Sequence, residues 1–129
     1  MRVDIWTDGS CSPNPGNGGW AAILESDERR KEIMGSLSET TNIRAEITAA
    51  IMALKALKDG PHEVLFHTDS DYVRGAIEGM KKAKANLDLI AEIDELKSHH
   101  QVTVIWTKGH ANDKNNNRCD ALAKLAGGF

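Results

Sequence analysis

Residues 43–57 read IRAEITAAIMALKAL, and the placing of the apolar residues in this stretch decides the class of fold. Ile43, Ile47, Ala50, Ile51, Leu54 and Leu57 stand at offsets of 4, 7, 8, 11 and 14, the stripe of an α-helix rather than the alternation of a strand. Thr41 or Asn42 can cap its start, and Gly60 followed by Pro61 is expected to end it. On the N-terminal side the period changes. Val3 to Thr7 (VDIWT), Trp20 to Leu24 and Ile33 to Leu37 are short β-type runs. Between them lie DGSCSPNPGNGG, whose Gly and Pro residues argue against regular structure, and the polar ESDERRKE. The three runs predict an antiparallel meander.

On the C-terminal side, EVLFHTDS (63–70) has the pattern of a short buried strand. It feeds a helical stripe at Val73, Ala76, Ile77 and Met80, with Ser70 as its cap. A second stripe at Leu89, Ile90, Ile93 and Leu96 precedes the strand VTVIWT, and a last helix carries Cys119, Leu122, Ala123 and Ala126. The order predicts an α/β fold: a five-stranded mixed sheet, three antiparallel strands then two parallel, with helices on both faces. Residues 1–129 are expected to form one domain, with no internal repeat or linker.

With 40% apolar and 27% charged residues, the composition excludes a disordered chain. No stretch has the length of a signal peptide core or a membrane span, so a cytoplasmic protein without membrane contact is expected. Cys11 and Cys119 are far apart and in no zinc-like spacing, which predicts reduced, buried thiols. The net charge of -3 points away from polyanions, because Lys and Arg supply most non-specific affinity for phosphate backbones. Any such affinity must come from local groups or bound cations. Trp6, Trp20 and Trp106 fall in strand runs and are expected in the core, and His99 and His100 at a helix end.

Four acids stand out by position. Asp8 ends the first strand, Asp69 ends the fourth, Glu46 lies in the first turn of the long helix and Asp120 in the last helix. Each alone reads equally as a solvated acid. In α/β sheets, however, ligands bind in the crevice at the carboxyl ends of adjacent parallel strands. If strands one and four are neighbours, Asp8 and Asp69 meet there. Clustered carboxylates repel and retain protons unless cations neutralise them. Two divalent ions would balance four negative charges. Mg²⁺ is a hard ion that takes oxygen ligands and keeps several waters. A pair of such ions roughly 3.5–4 Å apart activates a water and stabilises the leaving oxygen of a phosphoryl displacement.

The segments around these acids are TDGSCSPNPG, TTNIRAE, TDSDYV, TKGH and NNNRCDALA. In that order and at that spacing they resemble type 1 ribonuclease H along nearly the whole chain. The resemblance implies a ribonuclease H-like fold and an endonuclease that hydrolyses the RNA strand of RNA/DNA hybrids, leaving 5′-phosphate and 3′-hydroxyl ends. It implies that Asp8, Glu46, Asp69 and Asp120 are catalytic and bind two Mg²⁺ ions, with Mn²⁺ a possible substitute. His110, in GHANDKNNN, would assist proton transfer or product departure without ligating metal. Gly9, Ser10, Asn14 and Asn42 would contact the hybrid and detect the 2′-hydroxyl. Thr41 and Asn86 match positions that hold a phosphate of the DNA strand in some members, and a helix start at Thr41 is independently an anion site. The plainer readings stay open: Asn14 as a turn former beside Pro15, Thr41 as a cap only, His110 as a surface histidine.

Two departures matter. Many members carry a basic, tryptophan-bearing handle between the second and third helices. Here GMKKAKAN offers Lys81, Lys82 and Lys84 with Met80 and no aromatic, either a solvated face or a reduced phosphate-binding patch. Glu39 and Asp71 stand where arginine and glutamine are frequent, and Asp71 can equally serve its helix dipole. Weak hybrid binding with a gentle salt dependence is therefore expected. A monomer is expected, standing alone as a catalytic module without a hybrid-binding domain before Met1 or a tail after Phe129. The competing readings are a same-fold nuclease acting on double-stranded RNA, the corresponding module of a reverse transcriptase, and a non-catalytic hybrid-binding protein.

Overall fold

The computed structural model describes residues 2–27, 29–57, 60–79, 85–107 and 113–129. Three strands come first, β1 (Arg2–Cys11), β2 (Gly16–Ser26) and β3 (Arg29–Thr40), followed by α1 (Asn42–Ala56). Then come β4 (Glu63–Thr68), α2 (Asp71–Glu78), α3 (Leu87–Lys97), β5 (Gln101–Trp106) and α4 (Lys114–Gly127). The strands form one sheet in the order β3-β2-β1-β4-β5. β2 pairs antiparallel with β1 and β3, while β4 pairs parallel with β1 and β5. This is the mixed sheet that the change of hydrophobic period predicts.

Alternation sorts the side chains between two layers. Val3, Ile5, Ala22, Leu24, Val64 and Phe66 turn to one face, where Ile47, Ala50, Ile51 and Leu54 of α1 cover them. Each fully buried Ile or Phe there contributes about 1.5–3 kcal/mol. Ala21 turns to the opposite face and meets Leu122 and Ala123 of α4. Two glycines let the helices sit directly on the sheet. A Cβ on Gly9 would lie 2.2 Å from the Ala45 carbonyl carbon of α1, and one on Gly19 would lie 2.2 Å from the Ala123 carbonyl oxygen of α4.

Several local expectations are corrected. The Gly/Pro-rich segment is mostly strand, since β1 continues to Cys11 and β2 resumes at Gly16. Its small residues accommodate close helix packing rather than breaking the ladder. The polar ESDERRKE is likewise absorbed into a long hairpin, where Glu25 stands opposite Arg30 and the two form an ion pair. α1 ends at Ala56, before Gly60, with the extended Leu57 donating its N–H to the Leu54 carbonyl. Of the tryptophans only Trp20 is core. Trp6 is half-buried and stacked on His67, and Trp106 is 39% exposed. Cys11 and Cys119 are buried free thiols. Among the described residues no helix is long and apolar enough to cross a membrane.

Candidate active site

The parallel pairing of β1 with β4 sets Trp6 opposite His67. Two residues further along each chain stand Asp8 and Asp69, so the carboxyl ends of adjacent strands bring these acids to one crevice. Val3, Ile5 and Thr7 are buried on alternate positions of β1, which turns Asp8 to the opposite face, the one α4 covers. There Asp120, on the first half of α4, lies within hydrogen-bonding range of Asp8. Its Oδ2 also pairs with Lys124 Nζ at 3.1 Å, one helical turn on. Glu46 arrives from the other side because α1 rests on Gly9, whose missing Cβ would lie 2.4 Å from the Glu46 nitrogen. Ser70, the cap of α2, donates through Oγ to Glu46 Oε2 at 2.9 Å and accepts from Val73 N at 3.2 Å. That hydroxyl ties the Glu46 carboxylate to the backbone next to Asp69.

The electrostatics record the crowding. Burial, then the hydrogen bond and charge of Asp120, and finally the charge of Asp69 push Asp8 up to about 8, against a Gly9 N–H that donates to it at 2.9 Å. Glu46 is raised by burial and by the Asp69 charge, with the Ser70 hydroxyl opposing the shift. Asp8 is the more enclosed of the two, while Asp120 has Lys124 beside it. Charge and hydrogen bonding thus link Asp120, Asp8, Asp69 and Glu46 in sequence around the crevice.

Among the described residues, no three acidic, histidine or cysteine side chains are drawn together into a ready metal cage. The donor set nevertheless fits a hard divalent cation. It consists of carboxylate oxygens, and the burial and neighbouring acid charges that raise Asp8 are what a bound cation would offset. Mg²⁺ retains much of its water and does not require a closed protein cage.

The chain is similar to known ribonucleases along its length. The family model described as RNase H matches residues 1–127. The chain belongs to the type 1 ribonuclease H family. A ribonuclease H of Gluconobacter oxydans is 47% identical, over 95% of this chain and 89% of that protein. The crystal structure of RNase H1 from the halophilic archaeon Halobacterium salinarum superposes with a TM-score of 0.84 at 26% identity, covering 98% of this chain and 97% of that one. LC11-RNase H1, solved in complex with an RNA/DNA hybrid, gives a TM-score of 0.78 at 25% identity, with coverage of 98% and 96%.

Around the crevice of this ribonuclease H, the other predicted positions fall into two groups. Asn42 Oδ1 accepts from Cys11 N at 2.7 Å, and Asn42 N donates to Asn14 Oδ1 at 3.2 Å. Asn14 and Asn42 thereby join the end of β1, which carries Gly9 and Ser10, into one polar surface. Thr41, not Asn42, caps α1, its hydroxyl accepting from Arg44 N at 3.1 Å. Asn86 lies at the start of α3, bonded to the same Arg44 through its side chain at 3.1 Å. His110 lies outside the described residues, as do Lys81, Lys82 and Lys84. Asp71 pairs with Arg74 at 2.9 Å, and Arg74 lies over the Trp106 ring. Glu39 adopts a left-handed φ of 48°.

Sequence reasoning missed three contributors. Ser70 reads only as a helix cap, because its bond to Glu46 spans two elements. Arg44 carries no local signal of its bond to Asn86. Lys124 was legible in principle, four residues after Asp120 on one helix.

Proposed function

We propose that this ribonuclease H hydrolyses the RNA strand of RNA/DNA hybrids by a two-metal-ion reaction, leaving 5′-phosphate and 3′-hydroxyl ends. The observation that carries the reading is the gathering of Asp120, Asp8, Asp69 and Glu46 at the carboxyl ends of β1 and β4, with Asp8 hydrogen-bonded to Asp120 and Glu46 held by Ser70. Asp8, Glu46, Asp69 and Asp120 would hold two Mg²⁺ ions, replaceable by Mn²⁺, which when bound would supply water activation and stabilisation of the leaving O3′. Ser70 fixes one oxygen of Glu46, and Lys124 draws Asp120 to its place on α4. The water oxygen forms the new bond to phosphorus as the P–O3′ bond breaks. His110 takes part in moving the proton or in product departure. Gly9, Ser10, Asn14 and Asn42 meet the RNA strand beside the crevice, where a 2′-hydroxyl finds hydrogen-bonding groups. Thr41 and Asn86 hold a phosphate of the DNA strand.

Every one of these groups belongs to one chain, so the site needs no second copy, which supports a monomer. The two buried free thiols suit a reducing cytoplasm. The test is cleavage of end-labelled hybrid, duplex RNA and duplex DNA with Mg²⁺, with Mn²⁺ and after chelation. Cleavage is expected in the hybrid's RNA strand alone and is expected to vanish with the metal. Equal cutting of duplex RNA, or binding of the hybrid without turnover, would overturn the reading.

A further inference from the structure

The starts of α1 and α3 are joined through one side chain. Arg44 donates to both carboxylate oxygens of Asp88, at 3.2 and 2.9 Å, and also to Asn86 Oδ1 at 3.1 Å. Its backbone N–H donates to the Thr41 hydroxyl at 3.1 Å. Arg44 is thus bonded to both residues assigned to the DNA strand. Asn86 is unusual for a residue at a helix N-cap. Its side chain makes no capping bond and its backbone is left-handed, with φ 57° and ψ 32°. Forgoing the cap gives up helix stability. The amide is instead held between Arg44 and Tyr72, whose hydroxyl accepts from Asn86 Nδ2 at 3.3 Å and donates to the Ala85 carbonyl at 3.1 Å.

This leaves a defined pair of donors. The Thr41 hydroxyl accepts from Arg44 N and keeps its own O–H to give, while the Asn86 amide has a second N–H beyond the one directed at Tyr72. Both stand at helix starts, whose dipoles favour an anion. We infer that Arg44 is a positioning residue for the uncut strand: bonded to Thr41 and Asn86 and locked by Asp88, it sets their free donors on one DNA phosphate. The inference rests on the hybrid activity proposed above. Arg44 acts through its neighbours, because its two terminal nitrogens are engaged by Asp88 and Asn86.

Hybrids carrying a single neutral methylphosphonate at successive DNA positions provide the test. For the parent enzyme, one position should raise KM by about tenfold, the equivalent of one charge-assisted contact, with kcat within about twofold. Arg44→Ala should show that raised KM on the unmodified hybrid and lose no more at the sensitive position. Asp88→Asn, an exposed change that frees the guanidinium, should move KM the same way by less. Thermal melts establish that each variant is folded. An Arg44→Ala enzyme with lower thermal stability but unchanged KM, or one still sensitive at the parent's position, would reduce Arg44 to a structural role and overturn the inference. Reading the same series as binding affinity separates the two hypotheses. A parent that binds with this pattern but does not cleave sinks the proposed activity and leaves Arg44's role standing.

Discussion

Asp8 shows how one residue serves chemistry at the expense of the fold. Its ordinary value is 3.8 and the crevice raises it to about 8. Below pH 4 both folded and unfolded chains carry the proton. Between about 4 and about 8 the folded protein keeps a proton that the unfolded chain has lost, so stability falls as pH rises through this window and then levels off. The melting temperature of metal-free protein should therefore decline from pH 4 to pH 8 and recover when Mg²⁺ is added. Asp8→Asn should flatten that decline and leave the metal-free protein more stable than the parent at pH 8, while cutting cleavage by orders of magnitude. Melting curves with and without metal check both halves. A variant less stable than the parent at pH 8, or one retaining activity, would contradict the assignment.

The elements that matter most are the two helices seated on glycine. α1 delivers Glu46 over Gly9 on one face, and α4 delivers Asp120 over Gly19 on the other. These contacts fix how far each carboxylate stands from the ends of β1 and β4. A methyl group at Gly19 would fall 2.2 Å from the Ala123 carbonyl oxygen and 2.5 Å from the Gly127 nitrogen, both backbone atoms of α4. Gly19→Ala should destabilise the protein by about 2–3 kcal/mol, read as a lower urea midpoint, because the helix backbone must move away. Cleavage should fall with it, since Asp120 travels with α4. An unchanged midpoint would mean that the contact is looser than its geometry. The ion pair between Arg118 and Glu32 tethers the same helix to β3 at the surface, and Arg30 pairs with Glu25 and Glu32 within the hairpin, where such pairs contribute little individually.

At the scale of the molecule, the charge of -3 is matched by how its cations are used. Arg30, Arg44, Arg74, Arg118, Lys55, Lys97 and Lys124 are all paired with carboxylates of the chain itself. Among the described residues, few cations remain to displace counterions from a nucleic acid. Hybrid affinity should accordingly fall gently with salt, and a log–log slope equivalent to about six or more phosphate contacts would refute this. The sequence by itself determined the order and type of the elements, since the switch from period 2 to period 3.6 at Ile43 is a local property of the chain. Its motifs also singled out the four acids. Strand ends were not legible there: the glycines and prolines of residues 8–19 read as breakers, and only the helices packed on Gly9 and Gly19 show why those two glycines belong in strands. Tertiary structure alone decided that β1 lies beside β4, and hence that Asp8 and Asp69 face one crevice. It likewise decided that Ser70 holds Glu46 and that Arg44 holds Asn86. The reason is physical: hydrogen bonds and carboxylate repulsion act over a few ångströms in space, and no spacing along the chain encodes which distant residues come that close.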